Sequence, residues 1–365
     1  MVVMSVVGNR PQFIKAAAVG PHLERGVADH LLVHTGQHYD HQLSEIFFEE
    51  LDLLPASHNL GVGSGSHAEQ TGRIMAGLEE VLADERPDAL LIYGDTNSTL
   101  AAALVAAKAS LPAAHVEAGV RCFDRSTPEE VNRVVADVLS GLLLCPTPTA
   151  VENLAAEGLG NRARLVGDVM ADIAAKFGPI ADRRSDVLER LGLEPGRYVL
   201  ATAHRAGNVD DPGNLRRVVE LLSTVSEVAP VVFPIHPRTR ARLVAAKLMS
   251  SLEGERIVVT EPLGYLAFTR LLRSAQAVLT DAGGVQKEAY MAGVPCVTLR
   301  RSTEWVETVD SGWNKLVGLD AQAAVDSLHE LARLRERSAP EPGVYGDGRA
   351  GPRTAEEIRR WLDSN

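Results

Sequence analysis

The sequence predicts an α/β protein of two doubly wound, Rossmann-like domains facing a cleft. Three observations carry that expectation. Short β-branched runs alternate with helical patterns of about ten to twenty residues, the spacing of βαβ units and parallel sheets. The alternation occurs as two series, one in each half of the chain. At 365 residues the chain is too long for one ordinary core and comfortable for two.

In the first half the expected strands are "VVMSVV", "LLVHT", "ALLIY", "AAHVE" and "LLLCP". In the second they are "YVLATA", "VVFPI", "RIVVT", "AVLTD" and "PCVTL". The joint is expected near "RLVGDVMADIAAKFGP". This divides the chain into an N-terminal domain over 1–168, a C-terminal domain over 169–350, and a last helix over 351–365 that could pack back on the N-terminal domain. Aromatic residues are only 4% of the chain, and Ala, Val and Leu dominate, which suits buried parallel strands under Ala-rich helices.

Composition excludes several classes of function. A net charge of −11 argues against nonspecific binding to nucleic acid or to an anionic membrane. No run reaches the ~20 apolar residues of a membrane span. The start, "MVVMSVVGNRPQF", lacks the basic region and the long apolar run of a signal peptide. The three scattered cysteines, Cys122, Cys145 and Cys296, read as buried free thiols rather than a disulfide or zinc framework. The expected setting is the cytoplasm, with no metal.

Polar clusters follow most of the expected strands, where open α/β sheets bind ligands. In "GNRPQFIKAA", Pro11 is placed to open a helix, and Arg10 and Lys15 make an anion site there, or merely solvated charges. In "YGDTNSTLAAAL", Asp95 is a general acid or base, or a cap; Asn97, Ser98 and Thr99 are expected to cap the helix. In "HVEAGVRCFDRSTPEEVNR", Glu117, Arg121, Asp124, Glu129, Glu130 and Arg133 form either a catalytic cluster or a salt-bridged loop ahead of an acidic helix start. Of the adjacent pair, Glu129 is the functional candidate and Glu130 the one expected to face water.

In the second half, His204 and Arg205 of "TAHRAGN" suggest a phosphate or leaving-group contact. His236 of "PIHPRTR" sits between prolines and either contacts ligand or shapes the turn. In "DAGGVQKEA", Gly283 and Gly284 stand where a strand gives way to a helix, with Glu288 about one turn on. Backbone amides for an anion beside a carboxylate for a diol describe a nucleotide diphosphate site, although a bare Gly-Gly is also a common turn. In "TGQHYDHQL", His38 and His41 have a spacing that mimics a metal pair, but no third ligand matches, so a polar helix start is the preferred reading.

Taken in order, "GNRPQFIKAA", "TGQHYD", "GSGSHAEQTG", "GDTNSTLAAAL", "HVEAGVR", "PEEVNR", "HPRTR", "PLGYL", "DAGGVQKEAYMAGVPCVTLR" and "STEWVETVDSGWNKLVG" resemble the non-hydrolysing UDP-N-acetylglucosamine 2-epimerase family along nearly the whole chain. The resemblance implies a glycosyltransferase-B type fold, with UDP held mainly by the second domain, and neither metal nor cofactor. It implies loss of UDP from C1 with the C2 proton, giving a 2-acetamidoglucal, then re-addition with the proton on the opposite face. By position, Asp95, Glu117 and Glu129 become the acid/base candidates and His204 lies by the leaving diphosphate. Arg10, Lys15, Gly283 and Gly284 become phosphate ligands, with Arg133, Arg205 and His236 as further substrate-binding residues. Glu288 takes the ribose, and Gln37 and His38 are candidates for an allosteric UDP-sugar site. A homodimer is the family habit.

Four positions depart from the family pattern: Asn9 for Thr, Gly207 for Glu, Ala282 for Ser and Arg301 for Asp. The acid/base set is intact while the nucleotide side is altered. An epimerase of UDP-GlcNAc leads; a modified UDP-HexNAc, a hydrolysing enzyme releasing UDP and free ManNAc, and a non-catalytic nucleotide-sugar sensor compete with it.

Overall fold

The structure, a computed structural model, describes residues 1–37, 50–51, 53, 55–252, 254 and 256–364. The chain divides into two units. One comprises Met1–Ala175 with Gly343–Asn365; the other is the continuous stretch Lys176–Pro342.

The first unit is built on a parallel sheet ordered β3-β2-β1-β4-β5-β6-β7. Its strands are β1 (Val2–Val7), β2 (Asp29–His34), β3 (His58–Asn59), β4 (Ala89–Tyr93), β5 (Ala113–Val116), β6 (Leu142–Cys145) and β7 (Ala163–Leu165). The second unit has a parallel sheet ordered β10-β9-β8-β11-β12-β13. Its strands are β8 (Val199–Thr202), β9 (Val231–Pro234), β10 (Ile257–Thr260), β11 (Ala277–Thr280), β12 (Cys296–Thr298) and β13 (Asn314–Leu316). All pairings within these two sheets are parallel.

Helices that bear on function are α1 (Arg10–Leu23), α2 (His67–Glu85), α3 (Asn97–Lys108), α4 (Pro128–Leu139), α5 (Pro237–Ala245), α6 (Gly283–Met291) and α7 (Ala350–Asp363). Central strands are buried on both faces, so they read as unbroken apolar runs: all five residues of β4 are buried. In α3, small Ala side chains let the helix lie close on the sheet, where Ala101, Ala102, Ala103 and Ala106 join the core with Ile74, Leu78, Leu90 and Ile92. Each buried Leu or Ile contributes about 1.5–3 kcal/mol.

Strand order fixes where ligands can bind. In the first sheet β1 stands between β2 and β4, so successive connections leave it in opposite directions. In the second, β8 stands likewise between β9 and β11. Such switch points open a crevice at the carboxyl ends of the strands. Asn9 and Asp95 follow β1 and β4; His204 and Asp281 follow β8 and β11. Among the described residues, no helix is long and apolar enough to cross a membrane.

The stretch expected as a joint opens with strand β7, at the edge of the first sheet, and the boundary between the units falls at Ala175/Lys176. The short strands β3 and β13 are likewise additions to the expected set.

Candidate active site

In the first unit, α1 begins at the switch point. Asn9 caps it, its side chain accepting from the Gln12 amide, and Pro11 opens the first turn. Gly8 must be glycine: a Cβ there would collide with the Ser98 and Thr35 hydroxyls. One turn into α1, Lys15 is buried, and its Nζ donates to Glu117 Oε1 at 2.7 Å. The structure therefore ties Lys15 to an acid/base candidate. Arg10, at the first helical position, is half-buried.

Glu117 directly follows β5 with a φ of +70°, and it is only 5% exposed. A left-handed glutamate costs on the order of 1–3 kcal/mol and persists only where its surroundings impose it. The strain turns the carboxylate toward the neighbouring turn after β4. There Gly94 has φ +61°, and a Cβ on it would lie 2.9 Å from Lys15 Nζ and 3.6 Å from Glu117 Oε1. Asp95 follows directly, its carboxylate paired with the buried Arg133 of α4.

Helix α4 turns its polar side inward. Glu130, Asn132, Arg133 and Asp137 are buried, while Glu129 is half-buried. The expectation for the adjacent pair is corrected: Glu130 does not face water. Its carboxylate accepts from the backbone N–H groups of Cys122 (3.0 Å) and Phe123 (3.1 Å), which holds the loop that precedes α4. The expected cap of α3 is also corrected. Thr96, not Asn97 or Ser98, caps it, in a reciprocal box with Thr99. Asn97 and Ser98 are buried in its first turn, where Asn97 donates to Gln70 and Ser98 to Gln37. His38 and His41 lie outside the described residues.

Burial is the main influence on Asp95, and it lifts the carboxyl above its ordinary pKa. Arg133 opposes that rise, Glu129 adds to it, Lys15 opposes and Glu117 adds. Four charged side chains thus act on Asp95. A carboxyl with a raised pKa can hold a proton at a pH where an ordinary aspartate has lost it, as general acid–base work requires.

Beneath this cluster lies a group that the sequence reading did not single out. His115, fully buried in β5, lies 2.7 Å from Asp137 Oδ1 through Nδ1 and 2.7 Å from the Gly94 carbonyl oxygen through Nε2. Asp137 also accepts from Gly119 N and pairs with Arg121, which forks onto Glu157. Burial would raise the pKa of Asp137, but the charge and hydrogen bond of His115, followed by those of Arg121, hold it below the usual range.

In the second unit, Asp281 is the organiser. Fully buried after β11, it accepts from the backbone amides of His204 and Arg205 and from Asn208 Nδ2. His204, with a 40% exposed side chain, is stacked on His236 at 5.2 Å between ring centroids. His236 caps α5, its Nδ1 accepting from Arg238 N, so it does shape the turn. Arg205 approaches Glu304 at 3.7 Å, and Glu304 pairs with Arg300 at 2.7 Å. Helix α6 starts at Gly283 with no side-chain cap from Ala282. A Cβ on Gly283 would collide with Glu304, whereas Gly284 faces open space. Glu288 is half-buried one turn on. Of the departures in this unit, Gly207 has room for a side chain, and Arg301 is exposed.

The structure therefore brings Lys15, Asp95, Glu117 and Arg133 into one cluster. It brings His204, Arg205 and His236 to the carboxyl end of the second sheet, on which α6 also begins. Cys145 and Cys296 are buried and Cys122 half-buried, all as free thiols. Among the described residues, no group of three His, Cys, Asp or Glu side chains is placed to hold a metal ion.

A sequence model of UDP-N-acetylglucosamine 2-epimerases matches residues 22–359. The chain belongs to the UDP-N-acetylglucosamine 2-epimerase family. Within and around the family, a UDP-N-acetylglucosamine 2-epimerase homolog of Methanococcus maripaludis is 42% identical over 98% of this chain and 99% of its own. The UDP-2,3-diacetamido-2,3-dideoxy-D-glucuronate 2-epimerase of Pseudomonas aeruginosa is 44% identical over 99% of this chain and 100% of its own. Among solved structures, the Methanocaldococcus jannaschii UDP-GlcNAc 2-epimerase in complex with UDP-GlcNAc and UDP superposes with a TM-score of 0.94. It is 39% identical and covers 99% of this chain and 100% of that one. The chain accordingly has the two-domain α/β fold of the glycosyltransferase-B type that this epimerase family shares.

Proposed function

We propose that the protein is a non-hydrolysing 2-epimerase that interconverts UDP-GlcNAc and UDP-ManNAc. The observation that carries this reading is the charged cluster at the ends of the adjacent strands β4 and β5. Two carboxylates stand there, each with its own cation: Asp95 with Arg133, and Glu117 with Lys15. A C2 proton beside an acetamido group is only weakly acidic. Its removal needs a fixed base, and its return on the opposite face needs a second group, which paired carboxylates supply.

In the proposed sequence a carboxylate takes the C2 proton as the C1–O bond breaks, giving 2-acetamidoglucal and UDP. UDP adds back to C1 while a carboxyl protonates C2 from the other face. Asp95, Glu117 and Glu129 share this acid–base work. Lys15 pairs with Glu117 and positions it, Arg133 positions Asp95, and Arg10 meets the phosphates. On the second unit, His204, Arg205 and the start of α6 at Gly283 and Gly284 take the diphosphate, His236 supports His204, and Glu288 accepts from the ribose hydroxyls.

A second reading keeps the chemistry and changes the sugar. The Pseudomonas relative acts, by its name, on a diacetamido uronic acid sugar nucleotide, and it is 44% identical over the full chain. The exposed Arg301, which replaces an acid of the family pattern, suits a substrate that carries an extra carboxylate.

We also propose a homodimer. The outer face of α4 is apolar: Val131 is 42% and Val138 is 52% exposed, with Phe123 nearby in sequence at 74%. Val134 and Val135 lie between them, half-buried. An apolar stripe on the outside of a helix whose inside is polar is the kind of surface that a two-fold interface covers with its own copy. The dimer is expected to become a monomer on Val138→Glu in light scattering. The buried thiols and a nucleotide-sugar substrate fit a cytoplasmic setting.

Proton NMR of UDP-GlcNAc with the protein in D2O tests the main reading. Deuterium at C2 with UDP-ManNAc is expected. Free ManNAc with UDP would make it a hydrolase. Exchange seen only with the UDP-diacetamido uronic acid would move it to the second reading.

A further inference from the structure

Three successive carbonyl groups in the turn after β4 are each held by a buried side chain. Gln12 Nε2 (2.8 Å) and Thr99 Oγ1 (2.7 Å) donate to Tyr93 O. His115 Nε2 faces Gly94 O at 2.7 Å, and Asn132 Nδ2 donates to Asp95 O at 2.9 Å. Four elements or their ends thus grip three residues, and the side chain they present is Asp95.

His115 differs from the other clamps in two ways. It stands two residues before Glu117 on β5, so one side chain links the turn that carries Asp95 to the strand end that carries Glu117. Both its ring nitrogens also face oxygens that accept: Asp137 Oδ1, in a carboxylate whose other oxygen pairs with Arg121 and accepts from Gly119 N, and the Gly94 carbonyl. A neutral ring can donate to one of them; only the doubly protonated ring donates to both. The charged groups around it are Asp137, its partner Arg121 and, beyond Arg121, Glu157, with the buried Cys145 thiol in range of Asp137. Two cations face two carboxylates, so an imidazolium is compensated where it lies.

We infer that His115 is a positioning residue for the proton transfer: as an imidazolium clamped between Asp137 and the Gly94 carbonyl, it sets the spacing of Asp95 and Glu117. It touches neither substrate nor the reacting carbon. The inference rests on the epimerase reading. A misplacement of about 1 Å between groups that share a reaction costs about 100-fold in rate. Such a displacement leaves nucleotide binding on the second unit unchanged.

The experiment compares wild type, His115→Ala and His115→Gln for C2 deuterium exchange, KM and UDP affinity, with active molecules counted by UDP titration so that unfolded protein is excluded. For H115A, kcat is expected to fall about 100-fold at a KM and UDP Kd within about threefold. Added imidazole should restore part of the loss. H115Q, whose amide can still donate to Gly94 O, should retain more activity than H115A. A kcat unchanged in both variants, or a loss that tracks the count of folded molecules alone, overturns the inference. If H115A does not fold, H115Q and the ring itself decide: nitrogen-15 NMR of the wild type should show one histidine with both ring N–H protons at pH 7, a signal missing from H115Q. A neutral ring there also overturns it. If wild type exchanges deuterium and the variants match it, this inference fails alone. If wild type exchanges none with any UDP-HexNAc tried, the epimerase reading fails and takes this one with it.

Discussion

The carboxyl ends of the two sheets are built to opposite plans. On the first, the candidate carboxylates are gripped by buried side chains: Lys15 on Glu117, Arg133 on Asp95, with three clamped carbonyls in the turn that carries Asp95. Glu117 is held in a left-handed conformation that nothing local favours. On the second, the scaffold is mostly backbone. Asp281 gathers the amides of His204 and Arg205, glycines open α6, and the 40% exposed His204 side chain leans on His236 by ring stacking. On the proposed reading, the difference follows from what each task demands. Moving a proton to and from carbon needs carboxyls whose distance and pKa are fixed in advance. Holding a diphosphate that must leave and return needs amides and cations that can adjust.

The sharpest way to break this contrast is Glu117→Gln. It keeps shape and removes the base, so C2 exchange should fall about 1000-fold while UDP affinity, measured calorimetrically, stays within about threefold. A parallel loss of UDP binding would mean that Glu117 itself supports the nucleotide rather than the proton transfer alone.

Gly94→Ala should come next. The added methyl meets Lys15 Nζ and demands a left-handed alanine. Stability in urea should drop by about 1–3 kcal/mol, and exchange should fall with it, by about 100-fold. An alanine variant of normal stability would show that the turn is less constrained than its geometry implies.

Arg133→Met probes charge rather than shape. Burial already raises the Asp95 pKa, and Arg133 is the strongest influence holding it down. Removing the cation lets the pKa rise further, so the carboxylate forms only at higher pH. The acid limb of the pH–rate profile should move toward alkaline pH; movement the other way would assign that limb to a different group.

The smallest effect is expected on the second unit. Ala282→Ser restores a hydroxyl at the uncapped start of α6. It should raise thermal stability or UDP affinity by about 0.5–2 kcal/mol and leave the C2 exchange rate at saturation unchanged. A large change in that rate would mean that the altered nucleotide side governs the chemistry.

How much of this was legible in the sequence depended on burial. Strands such as Ala89–Tyr93 and Val231–Pro234 read clearly because both their faces are covered. His58–Asn59, Ala163–Leu165 and Asn314–Leu316 did not, because two or three residues with polar members carry no periodicity. Asp95, Glu117 and His204 stood out as polar residues directly after apolar runs. His115 was hidden inside such a run, where a histidine looks like core; its partner Asp137 lies on the inner, polar side of α4, and that inverted pattern was the available signal. Glu130 was misplaced because acids at a helix start satisfy the dipole from the surface as readily as they hold a loop from within.

The first unit is discontinuous: residues 343–365 return to it after the whole of the second. Helix α7 lies against α1 so closely that a Cβ on Gly351 would strike the Ala18 carbonyl oxygen, and Trp361 lies against Gly141. During synthesis, therefore, the half that carries Asp95 and Glu117 leaves the ribosome with a bare flank, and it waits while some 170 residues of the other half emerge. The continuous unit can close first. A nascent chain released before residue 343 would hold a finished second unit and an unfinished first one, so residues 343–365 complete the unit that the chain began earlier.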